Sequence, residues 1–240
     1  MIAILFFVIA ILYSMVGFGG GSSYIAILAL FNTPYQLIPI TALLCNIVVV
    51  SGNIPHFFRN GHVDFKFAIP FTLGSIPLSY LGGAIPISRE TFLLLLGGCL
   101  AVAGLRLLTF DLIAPKYNEA KPPNPAISFL VGSVLGFISG LVGIGGGIFL
   151  SPILLLFRWA QPKTVASTAS IFIFVNSLAG LFGQISKGLD INVNSIWPLL
   201  VVVLIGGQVG SSLSSGWIPQ KTVRNLTACL IIFVSAKLLF

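Results

Sequence analysis

Charge is what this sequence has least of: twelve basic and five acidic residues in a chain of 240 that is 57% apolar. So little polar surface cannot coat a water-soluble globule, and the mean hydropathy of +1.08 marks an integral membrane protein. The five acids, Asp64, Glu90, Asp111, Glu119 and Asp190, all fall at or beyond the ends of apolar stretches. A cation pump, which needs an intramembrane carboxylate to hold its ion, is thereby disfavoured. There is no carboxylate pair, no histidine-rich metal set and no nucleophile beside a base, so neither an enzyme nor a cofactor is expected. The three cysteines, Cys45, Cys99 and Cys229, lie inside apolar stretches without metal or redox spacing and read as core thiols. His56, close to Arg59 and His62, reads as an interfacial residue rather than a proton relay. No basic face carries interleaved aromatics, so nucleic acid is excluded, and the net charge of +7 is assigned to anionic lipid and to orientation.

What the chain has in abundance is apolar sequence. Eight stretches qualify as membrane helices: 1–31, 37–58, 65–85, 90–110, 125–157, 164–186, 193–217 and 222–240. The alternating ten-residue pattern of a β-barrel is missing. The N-terminus has no basic residue ahead of its apolar run and no cleavage site after it, so it is expected to stay in the mature fold.

Two of these stretches are interrupted by one glycine cluster, Met15-Val-Gly-Phe-Gly-Gly-Gly21 and Leu141-Val-Gly-Ile-Gly-Gly-Gly147. Glycine costs a helix about 1 kcal/mol per residue relative to alanine, so four in seven should open it. Open backbone inside a membrane is tolerated only around a cavity or a ligand. The likeness continues along the chain. Thr41-Ala42 answers Thr168-Ala169, Gly61 and Asp64 answer Gly188 and Asp190, Ile85-Pro86 answers Ile218-Pro219, and Arg106-Leu-Leu108 answers Lys237-Leu-Leu239. We therefore divide the chain into a first membrane repeat over 1–112, a polar, proline-rich linker over 113–125 and a second repeat over 126–240, each repeat with four apolar stretches.

Orientation turns on the first stretch of each half, because 31 residues of helix would run about 46 Å against a hydrocarbon core of about 30 Å. If both first stretches cross the membrane, the basic residues divide seven against five, which decides nothing. If both dip in and return as hairpins, the halves are inverted, and Arg89, Lys187 and Lys237 stand against the other nine, as the positive-inside rule asks. We expect broken or re-entrant hairpins in an inverted repeat with both termini outside, parallel halves being the alternative.

The chemistry expected of the glycine clusters is anion binding. Gly19, Gly20, Gly21, Ser22 and Ser23 read as the first turn of a half-helix, and Gly145, Gly146, Gly147 and Ile148 repeat it without the serines. The first amides of a helix lack internal partners, the macrodipole is positive there, and missing side chains let an oxyanion approach the backbone. Thr41, Asn46, Thr168, Ser170 and Asn176 are expected to line the cavity with neutral donors, from which an anion can leave again; Ser51, Asn53, Gln184 and Gln208 are further polar groups inside apolar stretches. Close helix packing is the competing account of the glycines.

The paired clusters, the Thr-Ala turns and the eight short stretches resemble the TauE/SafE family of sulfite and organosulfonate permeases. The resemblance is most specific over Val142 to Leu155, with Pro152 after the second cluster, and over Ala166 to Ser170. The first half departs from the pattern, having two serines and no proline after its cluster. The resemblance implies a multi-pass protein of a prokaryotic plasma membrane that exports small sulfur-containing oxyanions and follows the proton gradient. It leaves open self-association, an anion channel on the same scaffold and a non-transporting assembly subunit.

Overall fold

The computed structural model describes residues 1–15, 17–59, 61–109, 120–188, 193–212 and 220–239. Asp111, Glu119, Asp190, the Ile218-Pro219 pair and linker residues 113–119 lie outside them, as does the side chain of His56. The described residues form ten helices and no strand: α1 (Ile2–Met15), α2 (Gly21–Leu30), α3 (Leu37–Arg59), α4 (Phe65–Ala84), α5 (Arg89–Leu108), α6 (Pro125–Val142), α7 (Gly147–Leu156), α8 (Pro162–Ile185), α9 (Val193–Ser212) and α10 (Gln220–Leu239). Both stretches that carry a glycine cluster are split there into a longer and a shorter helix. Among the described residues α3, α4, α5, α6 and α8 are long and apolar enough to cross a membrane.

Polar residues start the helices where the sequence supplies them. Asp64 accepts from the Phe67 amide at 3.0 Å, Ser88 from Thr91 at 3.2 Å and Asn124 from Ala126 at 2.9 Å. Pro125 and Pro162 occupy first-turn positions, where a missing N–H costs nothing. Outward faces stay apolar: Leu94 is 65% exposed, Leu130 64% and Phe182 62%, an arrangement suited to lipid.

Small residues set the tightest contact. A Cβ at Gly132, Gly136 or Gly140 of α6 would run into the carbonyl oxygens of Phe71, Ser75 and Ser79 of α4. This four-residue spacing brings two backbones together without side chains between them. Residue numbers rise together along that contact, so α4 and α6 run parallel. Contacts of Ser79, Tyr80 and Gly83 with Asn176, Gly180 and Gly183 make α8 parallel to both. On the other side of the molecule, Gly206 and Gly210 of α9 meet Phe7 and Ile11 of α1, again in parallel, and α9 also packs on α3 through Gly207 with Val49. Ser167 near the start of α8 bonds His62 just past α3 while Leu43 faces Gly180, and Ser14 and Gly17 at the end of α1 meet Asn53 and Phe57 of α3, so α1, α3 and α9 oppose α4, α6 and α8. Helices α5 and α10 pair antiparallel: Gly97 meets Leu239 and Gly104 meets Ile232, with Ser235 Oγ donating to the Gly97 carbonyl at 2.8 Å.

One consequence concerns the split stretches. Because α1 and α3 run the same way, α2 must carry the chain back to where α3 begins, and α7 must do the same between α6 and α8. Each glycine cluster is thus the tip of a hairpin with one long and one short arm.

Replacing Gly136 with Leu should push α4 from α6 and cost about 1–3 kcal/mol or more. The melting temperature in detergent should fall clearly for Gly136→Leu and stay unchanged for Gly98→Leu, since a Cβ at Gly98 of α5 meets nothing within 4 Å.

Candidate functional site

The hairpin tips use backbone that side chains oppose. Gly20, the residue before α2, has φ 86°, and Gly146, before α7, has φ 78°. An L side chain in that left-handed region costs about 1–2 kcal/mol, so glycine is the residue that lets the chain reverse into the short arm. Ser23 and Tyr24 amides both donate to the Gly20 carbonyl at 3.0 Å, and Phe149 and Leu150 to that of Gly146 at 3.1 Å. The amide set expected from sequence is narrower as a result. Gly19 and Gly20 precede the helix and the Ser23 amide is engaged in a tight first turn, leaving Gly21 and Ser22 at the start of α2, and Gly147 and Ile148 at the start of α7, without intrahelical partners.

The two tips meet at Asn46, in the middle of α3 and fully buried. A Cβ on Gly19 or Gly21 would collide with its side chain, and one on Gly145 would lie 2.7 Å from its Nδ2. Asn46 Nδ2 donates to the Ile144 carbonyl at 3.1 Å, tying α3 to the second tip. In return, Ser170 Oγ of α8 donates to the Gly17 carbonyl of the first tip. Each hairpin's open backbone is therefore held by a side chain from the other half. Asn46 has a positional counterpart in Ile173 of α8, whose side chain would meet a Cβ on Gly145 or Gly147 as Asn46 would meet one on Gly19 or Gly21.

Several buried polar atoms around the tips have no hydrogen-bond partner among the described residues: Asn46 Oδ1, Asn176 Oδ1, Thr168 Oγ1, Ser139 Oγ and Ser177 Oγ. Ser177 Oγ lies 3.1 Å from the Cβ position of Gly145, and Ser139 Cβ 3.4 Å from that of Gly146, so both hydroxyl-bearing residues flank the second tip. Neither was singled out by the sequence reading. Ser177 follows Asn176 directly, and Ser139 lies just before the cluster, but isolated serines in a small-residue-rich helix give no signal of their own.

The other predicted residues are distributed unevenly. Asn176 Nδ2 bonds the Phe172 carbonyl of its own helix at 2.8 Å. Thr168 lies between Ala166, next to Gly17, and Ala169, whose carbonyl approaches the Gly147 Cβ position. Thr41 is buried in α3, five residues before Asn46, on the segment whose Pro39 packs on Gly143. Ser22 and Ser23 turn towards α1, where Tyr13 Oη stands 3.4 and 2.8 Å from their hydroxyls. Ile148 is half-buried and packs on the main apolar core. Asn53 lies outside this cluster: its Oδ1 is 2.7 Å from Ser14 Oγ, which also reaches the Gly207 carbonyl at 2.7 Å.

A cation stands near the tip end of the second hairpin's long arm. Lys187 Nζ donates to Gln184 Oε1 at 2.9 Å, and Gln184 Nε2 to the Gly140 carbonyl at 3.0 Å. Partial burial pushes the Lys187 ammonium below its usual pKa.

Comparison with known proteins assigns this architecture. A model of the family described as "Sulfite exporter TauE/SafE" matches residues 2–238. The "Probable membrane transporter protein y4hK" of Sinorhizobium fredii is 31% identical over 242 residues, covering 100% of this chain and 97% of the relative. The "Probable membrane transporter protein YunE" of Bacillus subtilis is 24% identical, covering 95% and 92%. A "Probable membrane transporter protein" of Methanocaldococcus jannaschii is 28% identical, covering 77% and 71%. No solved structure matches. With a family match along almost its whole length and a bundle of apolar spans around two glycine hairpins, the chain belongs to the TauE/SafE sulfite exporter family and is a multi-pass membrane transporter rather than an enzyme.

Proposed function

We propose that this transporter moves a small sulfur-containing oxyanion, held between the two hairpin tips and coupled to protons. One observation carries the reading: both glycine tips converge on the buried Asn46, beside the unpartnered hydroxyls of Ser139 and Ser177. Buried hydroxyls without partners are costly at rest and become favourable when a ligand accepts their protons. With the starting amides of α2 and α7 they form a donor set without fixed charge, which binds an oxyanion and still releases it. The family supplies sulfur as the element; the donor set by itself favours only a small oxyanion.

We read the halves 1–112 and 126–240, joined by 113–125, as inverted repeats. Exchanging α1 with α6, α2 with α7, α3 with α8, α4 with α9 and α5 with α10 turns the α4–α6 packing into α9–α1 and the α4–α8 packing into α9–α3, and both pairs exist. It also leaves α3 with α8 and α5 with α10 unchanged. Counterpart helices run in opposite directions, which fits an axis in the membrane plane. The nine-to-three distribution of basic residues supports a cytoplasmic linker side and both termini outside. Rocking of one half against the other about the Asn46 region would expose the site to each side in turn.

Purified protein in proteoliposomes should take up labelled sulfite with saturation, faster under an imposed pH gradient; uptake of no anion at all would sink the reading, and unsaturable flux would mark a channel. Ser177→Ala should keep its melting temperature, because the hydroxyl has no partner to lose, while apparent sulfite affinity falls about tenfold, the order expected for one hydrogen bond to a charged ligand. In a cysteine-free background, Lys121→Cys should react with an impermeant maleimide only from the cytoplasm and Arg89→Cys only from outside; labelling of both from one side would contradict the inverted arrangement.

A further inference from the structure

The donors just described explain how a negative charge could be held, yet the same cluster contains acceptors that an anion cannot satisfy. Asn46 and Asn176 each commit an amide N–H to a backbone carbonyl, Ile144 and Phe172, which fixes the orientation of both groups. Their carbonyl oxygens are thereby turned away from those partners, and neither meets a donor among the described residues although both side chains are fully buried. Asn46 Oδ1 lies against Gly19 and Gly21 at the first tip, where no side chain intervenes. A buried carbonyl oxygen without a donor is destabilising, and a fully ionised oxyanion placed beside it would be repelled by it.

We propose, resting on the transport reading above, that the site takes a monoanion that still carries an acidic O–H, and that Asn46 Oδ1 is the acceptor of that proton. The transported proton would then travel on the substrate itself, with no ionisable protein side chain to relay it. Gly19, Gly21, Ile144 and Gly145, which lie against the Asn46 amide, have no titratable side chains. Cys45, the preceding residue, and Tyr24 of α2 are titratable, and both are buried. The asymmetry between the halves points the same way. Ile173 occupies the corresponding place on α8, so the first tip faces an amide oxygen where the second tip faces only carbon.

Hydrogensulfite and methanesulfonate provide the test, since both are small monoanionic sulfur oxyanions and only the first presents a proton donor. In sulfite counterflow through proteoliposomes at equal pH on both sides, hydrogensulfite should compete at least about tenfold better than methanesulfonate in the wild type, as expected when a buried acceptor is left unpaired. In Asn46→Leu that ratio should fall towards one even if overall rates drop. Equal competition in the wild type, or an unchanged ratio in Asn46→Leu, would overturn the inference while leaving anion transport intact; absence of any competing anion would overturn both. Should Asn46→Leu fail to fold, the wild-type ratio decides alone. A resident water on Asn46 Oδ1 would produce no discrimination between the two anions, so equal competition also covers that case.

Discussion

Breaking two helices inside an apolar bundle exposes peptide groups that lipid cannot satisfy, and the way those groups are paired governs the rest of this molecule. The solution is reciprocal. A side chain of the first half, Asn46, bonds the Ile144 carbonyl of the second tip, and a side chain of the second half, Ser170, bonds the Gly17 carbonyl of the first. Neither hairpin is complete without the opposite half. That requirement places α3 and α8 side by side at the centre, which in turn leaves α4 with α6 and α1 with α9 as the outer contacts where small residues allow backbones to touch.

The two halves differ at the centre. Gly21 and Gly147 stand in the same relation to their neighbours on α3 and α8, but one neighbour is Asn46 and the other Ile173. The centre therefore holds a polar residue on one helix where the facing helix presents carbon.

Much of the fold was legible because lipid simplifies it. Every spanning segment must be a helix, so length and hydropathy located the stretches in which the five long apolar helices lie, and Asp64, Ser88 and Asn124 marked helix starts as they would in water. The breaks at Gly17 to Gly20 and Gly143 to Gly146 were legible too, because four glycines in seven residues are incompatible with a continuous helix. The contact glycines at 132, 136 and 140 were not, since three glycines in an apolar helix look like dilution until the partner's carbonyls are seen against them. At the site, sequence identified Asn46 and Ser170 as polar and intramembrane but could not say what they hold. Each bonds the backbone of the opposite half, and contacts between residues 98 or 153 positions apart leave no local pattern.

The scarcity of charge now acquires a mechanical meaning. An arginine or lysine at the tips would bind an oxyanion more strongly than hydroxyls and amides do, and would then release it slowly. A fixed charge would also need its own counter-ion in the empty carrier, because an unpaired ion in such surroundings is far more costly than an unpaired hydroxyl. Neutral donors remove both difficulties at the expense of affinity. In the proposed inverted arrangement nine of the twelve basic residues fall on the linker side, where they would orient the chain and raise the local concentration of anions without trapping them.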